Sequence, residues 1–239
     1  VLYEYGENPD IDTLNFALEY NGEALFQLFK SDKNDSMCVE YSYNPSDKKG
    51  VTKEIECGGI AKPILYLYPT KKTNVTVSFS HPEFLETTYP KFNNSWRVTA
   101  MSDGSLYDSN NKYYYALYWD EKKVHTVDFN EGFYVEKDEA IEFLEQKLSY
   151  IGLNDKEKNE FIMYWLPVLE KNGKSLVYFE LTEERESYNN LLITPKPDSM
   201  LRMVIHIKKV DKKTDIKKQS LTKFKRVGFT AVEWGGTTY

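Results

Sequence analysis

Histidine and cysteine are scarce in this chain: its 239 residues hold three of the first and two of the second. His81, His125 and His206 form no pair at ligand spacing, and no cysteine pair stands close by, so no metal centre is expected. Glycine is also thin, with 12 residues, and Gly58-Gly59 and Gly235-Gly236 are isolated pairs. A P-loop, a dinucleotide fingerprint and a nucleophile elbow are all missing, so the sequence calls for no cofactor. No apolar run approaches the roughly 20 residues that a membrane-spanning helix needs. Basic excess is lacking too, since 31 Lys and Arg against 37 Asp and Glu leave a formal charge of −6. That balance argues against nucleic acid or an anionic membrane as the main partner.

Aromatics are what the chain has in plenty. Tyr 19, Phe 13 and Trp 4 accompany 41% hydrophobic and 28% charged residues, an ordinary balance for a folded protein with many strands. The two cysteines, Cys38 and Cys57, both fall in stretches that read as strands, CVEYSYN and VTKEIEC, around the turn-rich NPSDKKG. Pairing Asn44 with Val51 would set Cys38 opposite Cys57 and predicts a disulfide, hence an extracytoplasmic compartment. That register also sets Val39 against Glu56 and Tyr41 against Glu54, so a bulge or other pairing is needed to align the apolar faces. The first residue is Val1, which leaves open a leader or anchor segment upstream.

Residues 1–61 read as a β-rich unit of their own. LNFALEY and EALFQLFK flank Asn21-Gly22, a dipeptide suited to a tight hairpin, and Gly58 to Lys62 loosens the chain afterwards. A second unit, 62–239, opens with KPILYLYP, apolar or aromatic on both faces and so expected to be buried on both. NVTVSFS alternates, with Val75, Val77 and Phe79 inward. SWRVTAM, the Asp103-Gly104 turn and KYYYALYW continue a sandwich-like or barrel-like sheet.

A helical hairpin is predicted at about 136–172. Ile141, Leu144, Leu148 and Ile151 recur at helical spacing, and Gly152 supplies a left-handed stop. Asn154 and Glu157 have the spacing of a capping box, followed by an apolar stripe of Phe161, Ile162, Trp165, Leu166 and Leu169. Pro167 predicts a kink or an early end. Strands return at SLVYFEL, NLLITP, MLRMVIHIKKV and RVGFTAVEW. The fold class is therefore α+β, mainly antiparallel, with an inserted helical hairpin.

Candidate chemistry is sparse. Asp120 and Glu121 end the aromatic strand, Glu160 lies on the second helix, and Glu233 adjoins Trp234. Glu160 projects away from the Phe161/Trp165/Leu169 stripe and reads as solvated. His206 alternates with Arg202 and Lys208 on the wetter side of its strand and reads as a structural or surface histidine. Trp119 with Asp120 is the favoured binding pair, a ring to stack and a carboxylate to accept hydroxyls. Arg202, the one arginine on an apolar strand, is the expected counter-charge for Asp120. From Lys208 to Arg226, nine basic residues against Asp211 and Asp215 give +7. That run reads as a solvated hairpin between two strands, with a polyanion contact as the other reading.

KPILYLYP (62–69), SWRVTAMSDGSLYD (95–108), YYALYWDE (114–121), IGLNDKEKNEFIMYWLPVLEKN (151–172) and ITPKPDSMLRMVI (193–205) carry a resemblance. They are similar to a family of hypothetical bacterial and fungal proteins with KPxIYLYP, GLxxxExxEFIxYWLP and PKPD…R stretches. The resemblance spans about three quarters of the chain, implies kinship, and brings no catalytic residue with it. The functional expectation is a secreted or surface-anchored binding or scaffolding protein, its partner a cell-surface polymer or a protein. The other reading is a polysaccharide-directed hydrolase using carboxylates near Asp120.

Overall fold

A computed structural model describes the backbone of residues 23–29, 36–44, 49–55 and 61, and both backbone and side chains of 62–122 and 127–239. The chain divides into two units, Val1–Cys57 and Gly58–Tyr239.

In the first unit β1 (Glu23–Phe29), β2 (Ser36–Asn44) and β3 (Lys49–Ile55) form an antiparallel sheet in that order. Asn44 pairs with Lys49, not Val51, so Cys38 faces Ile55 rather than Cys57. The expected register asked for a six-residue loop; the observed one needs four, a commoner hairpin length. Cys57, and with it the disulfide, lies outside the described residues, as does the LNFALEY strand.

The second unit is a three-layer arrangement. Its strands are β4 (Ala61–Tyr68), β5 (Thr73–Phe79), β6 (Leu85–Tyr89), β7 (Trp96–Ala100), β8 (Leu106–Tyr107), β9 (Tyr113–Tyr114), β10 (Leu117–Glu121) and β11 (Glu131–Glu136). Helices α1 (Ala140–Ile151) and α2 (Asp155–Asn172) follow, then β12 (Lys174–Leu181), α3 (Thr182–Glu186), β13 (Leu191–Thr194), β14 (Ser199–Lys209), β15 (Lys217–Lys218) and β16 (Thr230–Thr238). An eight-stranded sheet runs β15-β11-β12-β14-β16-β4-β10-β6, and a five-stranded sheet runs β13-β5-β7-β8-β9. The expected α+β class with mostly antiparallel strands holds.

Alternation along β4 explains the layering. Ile64 and Tyr66 enter the core under the helices, while Leu65 and Leu67 enter the core between the two sheets. Each such side chain contributes roughly 1.5–3 kcal/mol on burial, so a strand apolar on both faces belongs in the middle layer. The expected single strand KYYYALYW instead breaks at Tyr115-Ala116: β9 stays in the five-stranded sheet and β10 joins the eight-stranded one.

The helical hairpin is built as its spacing indicates. Gly152 ends α1 at φ 119°, a conformation that costs glycine little, and its N–H donates to the Leu148 carbonyl. Asn154 and Glu157 form a reciprocal capping box at the start of α2. Pro167 does not end that helix early, because Trp165 and Leu169 on either side of it are both buried in the core beneath α2. The basic run is not a hairpin either. β14 and β16 are parallel neighbours, so residues 210–229 must cross over, and they do so as a pinned strap. The Gln219 side chain pairs with both the N–H and the carbonyl of Phe179, Phe224 N–H donates to the Ile151 carbonyl, and Arg226 pairs with Glu157.

Candidate functional site

Parity along β10 decides which side chains share a face. Leu117 and Trp119 turn toward the five-stranded sheet, whereas Tyr118 pairs with Ile64 on the helical side and Asp120 follows it. Trp119 is 0% exposed and packs edge-on against Phe79 at 5.0 Å. The ring expected to stack on a ligand thus lies in the core between the two sheets.

Arg202 does not meet Asp120. It pairs in register with Glu233 and points to the opposite face of the eight-stranded sheet. Its guanidinium binds Glu233, Glu186 and the Asn189 carbonyl, all within the protein. Burial opposes its charge, but Glu233 and Glu186 outweigh that burial and hold Arg202 above the usual guanidinium range. Next to it Arg185 binds Glu121, which also accepts from Trp119 Nε1 at 3.1 Å and Asn189 Nδ2 at 3.0 Å. Arg185, Arg202, Glu121 and Glu233 are all 0% exposed. The cluster is a sealed structural lattice that ties α3 to β10, β14 and β16.

His206 is likewise inside, 1% exposed, and not on a wet surface. Its Nε2 lies 2.8 Å from Glu180 Oε2 and its Nδ1 2.9 Å from the Tyr239 hydroxyl. Arg202, Glu180 and His206 share the face that sequence alternation marked as polar; packing against α3 and the neighbouring strands closed it.

Asp120 lies elsewhere, in an open seam where α2 crosses β4 and β10. Its Oδ1 accepts the Lys62 backbone N–H at 3.0 Å and its Oδ2 the Tyr118 hydroxyl at 2.6 Å. Glu160, one turn of α2 before Tyr164, accepts the hydroxyl of Tyr66 at 2.5 Å. Lys62 Nζ stands 4.4 Å from the Tyr164 ring centre, and Lys156 Nζ 4.8 Å from that of Tyr115. Tyr115 and Tyr164 remain 44% and 37% exposed, enough to present rings to a ligand.

The electrostatics of the seam favour neutral phenols. Burial, then the bonded Glu160 carboxylate, push the Tyr66 hydroxyl far above the usual phenol range. Burial, then Asp120, do the same to Tyr118. Burial and Asp120 raise Tyr164, and burial and Glu160 raise Tyr115. The result is a strip of protonated hydroxyls, two anchored carboxylates and two ammonium groups.

Of the acidic candidates singled out from sequence, Asp120 and Glu160 belong to this seam, and Glu160 is half-buried on the Tyr66 hydroxyl rather than solvated. Tyr66, Tyr115 and Tyr164 complete it. Glu160 and Tyr164 stand four apart on α2, so they share one flank, and that spacing was the available signal. Among the described residues no group of three or more His, Cys, Asp or Glu side chains could hold a metal ion. No described helix is long and apolar enough to cross a membrane. No family model, curated protein or solved structure matches the chain.

Proposed function

We propose that this protein is an extracytoplasmic binding protein whose Tyr115/Tyr164/Asp120/Glu160 seam takes up a polyhydroxylated ligand, a neutral stretch of a cell-surface polysaccharide, without cleaving it. The observation that carries this reading is the pairing of exposed tyrosine rings with carboxylates already fixed as acceptors. Rings offer apolar faces to the C–H side of a sugar, while carboxylates and phenols take and give hydroxyl hydrogen bonds. The extracytoplasmic placement rests on the cysteine reading and not on the seam.

Hydrolysis is the second reading, because Asp120 and Glu160 do share one seam. It is the weaker of the two. Each carboxylate already accepts a tyrosine hydroxyl, and Tyr115 and Tyr164 beside them stay 44% and 37% exposed, where hydrolysis calls for an enclosed pair. Titrating the protein with neutral oligosaccharides, with the sugar length followed by mass spectrometry, separates the readings. Saturable binding of an oligosaccharide that keeps its length supports a binding protein; shortened products establish the hydrolase; no binding across a broad panel defeats both.

A further inference from the structure

Away from the seam, α1, β11 and the strap flank an open cleft of about 470 Å³. That volume falls in the range of small-molecule sites, roughly 300–1,000 Å³. Half-buried Phe143 supplies most of the aromatic surface and Phe133, 8% exposed, an edge of it, their ring centres 5.4 Å apart at 60°. Lys147 reaches in from α1, its Nζ 4.7 Å from the Phe133 ring centre and 5.9 Å from that of Phe143. Lys218, paired with Gly132 at the edge of the sheet, brings a second ammonium to the lining of the same cleft.

Among the described residues neither Lys147 nor Lys218 has a carboxylate within 4.0 Å, whereas the adjacent Lys217 pairs with Glu131 at 3.1 Å. Burial, then the charge of Lys218, pull Lys147 below the usual lysine range. A charge held against aromatic surface and a like charge gains more from an incoming anion than a fully solvated lysine does.

We propose that this cleft binds a compact organic anion, with its apolar or aromatic body against Phe133 and Phe143 and its anionic group between Lys147 and Lys218. Glu139, Glu142 and Asp215 also line the cleft and equal in number its three lysines, Lys147, Lys213 and Lys218. A polyanion therefore gains no net attraction here, and selection falls to a single anionic group on a small body. Glu142 accepts the Gln146 amide at 2.8 Å and makes no ion pair within 4.0 Å with Lys147.

The experiment uses the full chain and phenyl phosphate as the probe, with benzyl alcohol, inorganic phosphate and heparin alongside, all followed by calorimetry. Phenyl phosphate is expected to bind saturably and more tightly than any of the other three. Lys147→Gln, and separately Lys218→Gln, should each weaken it about tenfold, the scale of one lost charge-assisted hydrogen bond, with the melting temperature unchanged. Failure of phenyl phosphate to bind, wild-type affinity in either variant, or heparin binding as well as phenyl phosphate would overturn the proposal.

Discussion

Arg202 shows how far a single residue can be read from its neighbours in sequence. Leu201, Met203 and Ile205 around it mark a buried strand, and a buried arginine needs an acid. The acid turned out to be Glu233, its register partner on a parallel neighbour, because alternation fixes which face a side chain takes but not which strand lies beside it. Asp120 fell on the other face for the same reason: it is an even residue in a strand whose odd residues Leu117 and Trp119 enter the core between the sheets. Removing Arg202 would leave Glu233 buried, with Arg185 Nε, 3.8 Å away, as its remaining cation. Arg202→Met should therefore cost about 3–5 kcal/mol in urea denaturation. A midpoint within error of the wild type would show that the lattice contributes nothing.

Among the elements, the helical hairpin was the most legible and the strap the least. The hairpin is specified locally, by Gly152, by the Asn154/Glu157 box and by a stripe at helical spacing. The strap depends on β14 and β16 lying parallel, which no local pattern encodes; its lysines are solvated as expected, but the connection is a crossover and not a hairpin. Docking of α2 centres on Trp165, 2% exposed, whose ring lies over Gly236 so closely that a Cβ there would collide with it. Trp165→Ala should lower stability by about 3–5 kcal/mol, measured by chemical denaturation, since the vacated volume is walled by sheet and helix. A melting temperature equal to the wild type would refute that docking.

For the molecule as a whole, the three layers assign different tasks to different surfaces. The middle sheet buries its charges against α3 and presents Asp120 and Tyr118 beside α2, so the same strand β10 contributes to the sealed lattice and to the open seam. The compartment is a separate matter. If Cys38 and Cys57 are bridged, intact mass should fall by two hydrogens relative to the reduced chain, and the bridge should add on the order of 3 kcal/mol. Two alkylatable thiols in the native protein would remove the ground for an extracytoplasmic placement while leaving the seam untouched.

The seam is tested most directly by titrating wild type, Tyr115→Ala and Glu160→Gln with an oligosaccharide that the wild type binds, while amide chemical shifts report where it sits. The account predicts shifts centred on Tyr115, Asp120, Glu160 and Tyr164, and affinity about tenfold weaker in each variant with the fold unchanged. Shifts that fall elsewhere, or variants that bind as tightly as the wild type, would contradict it.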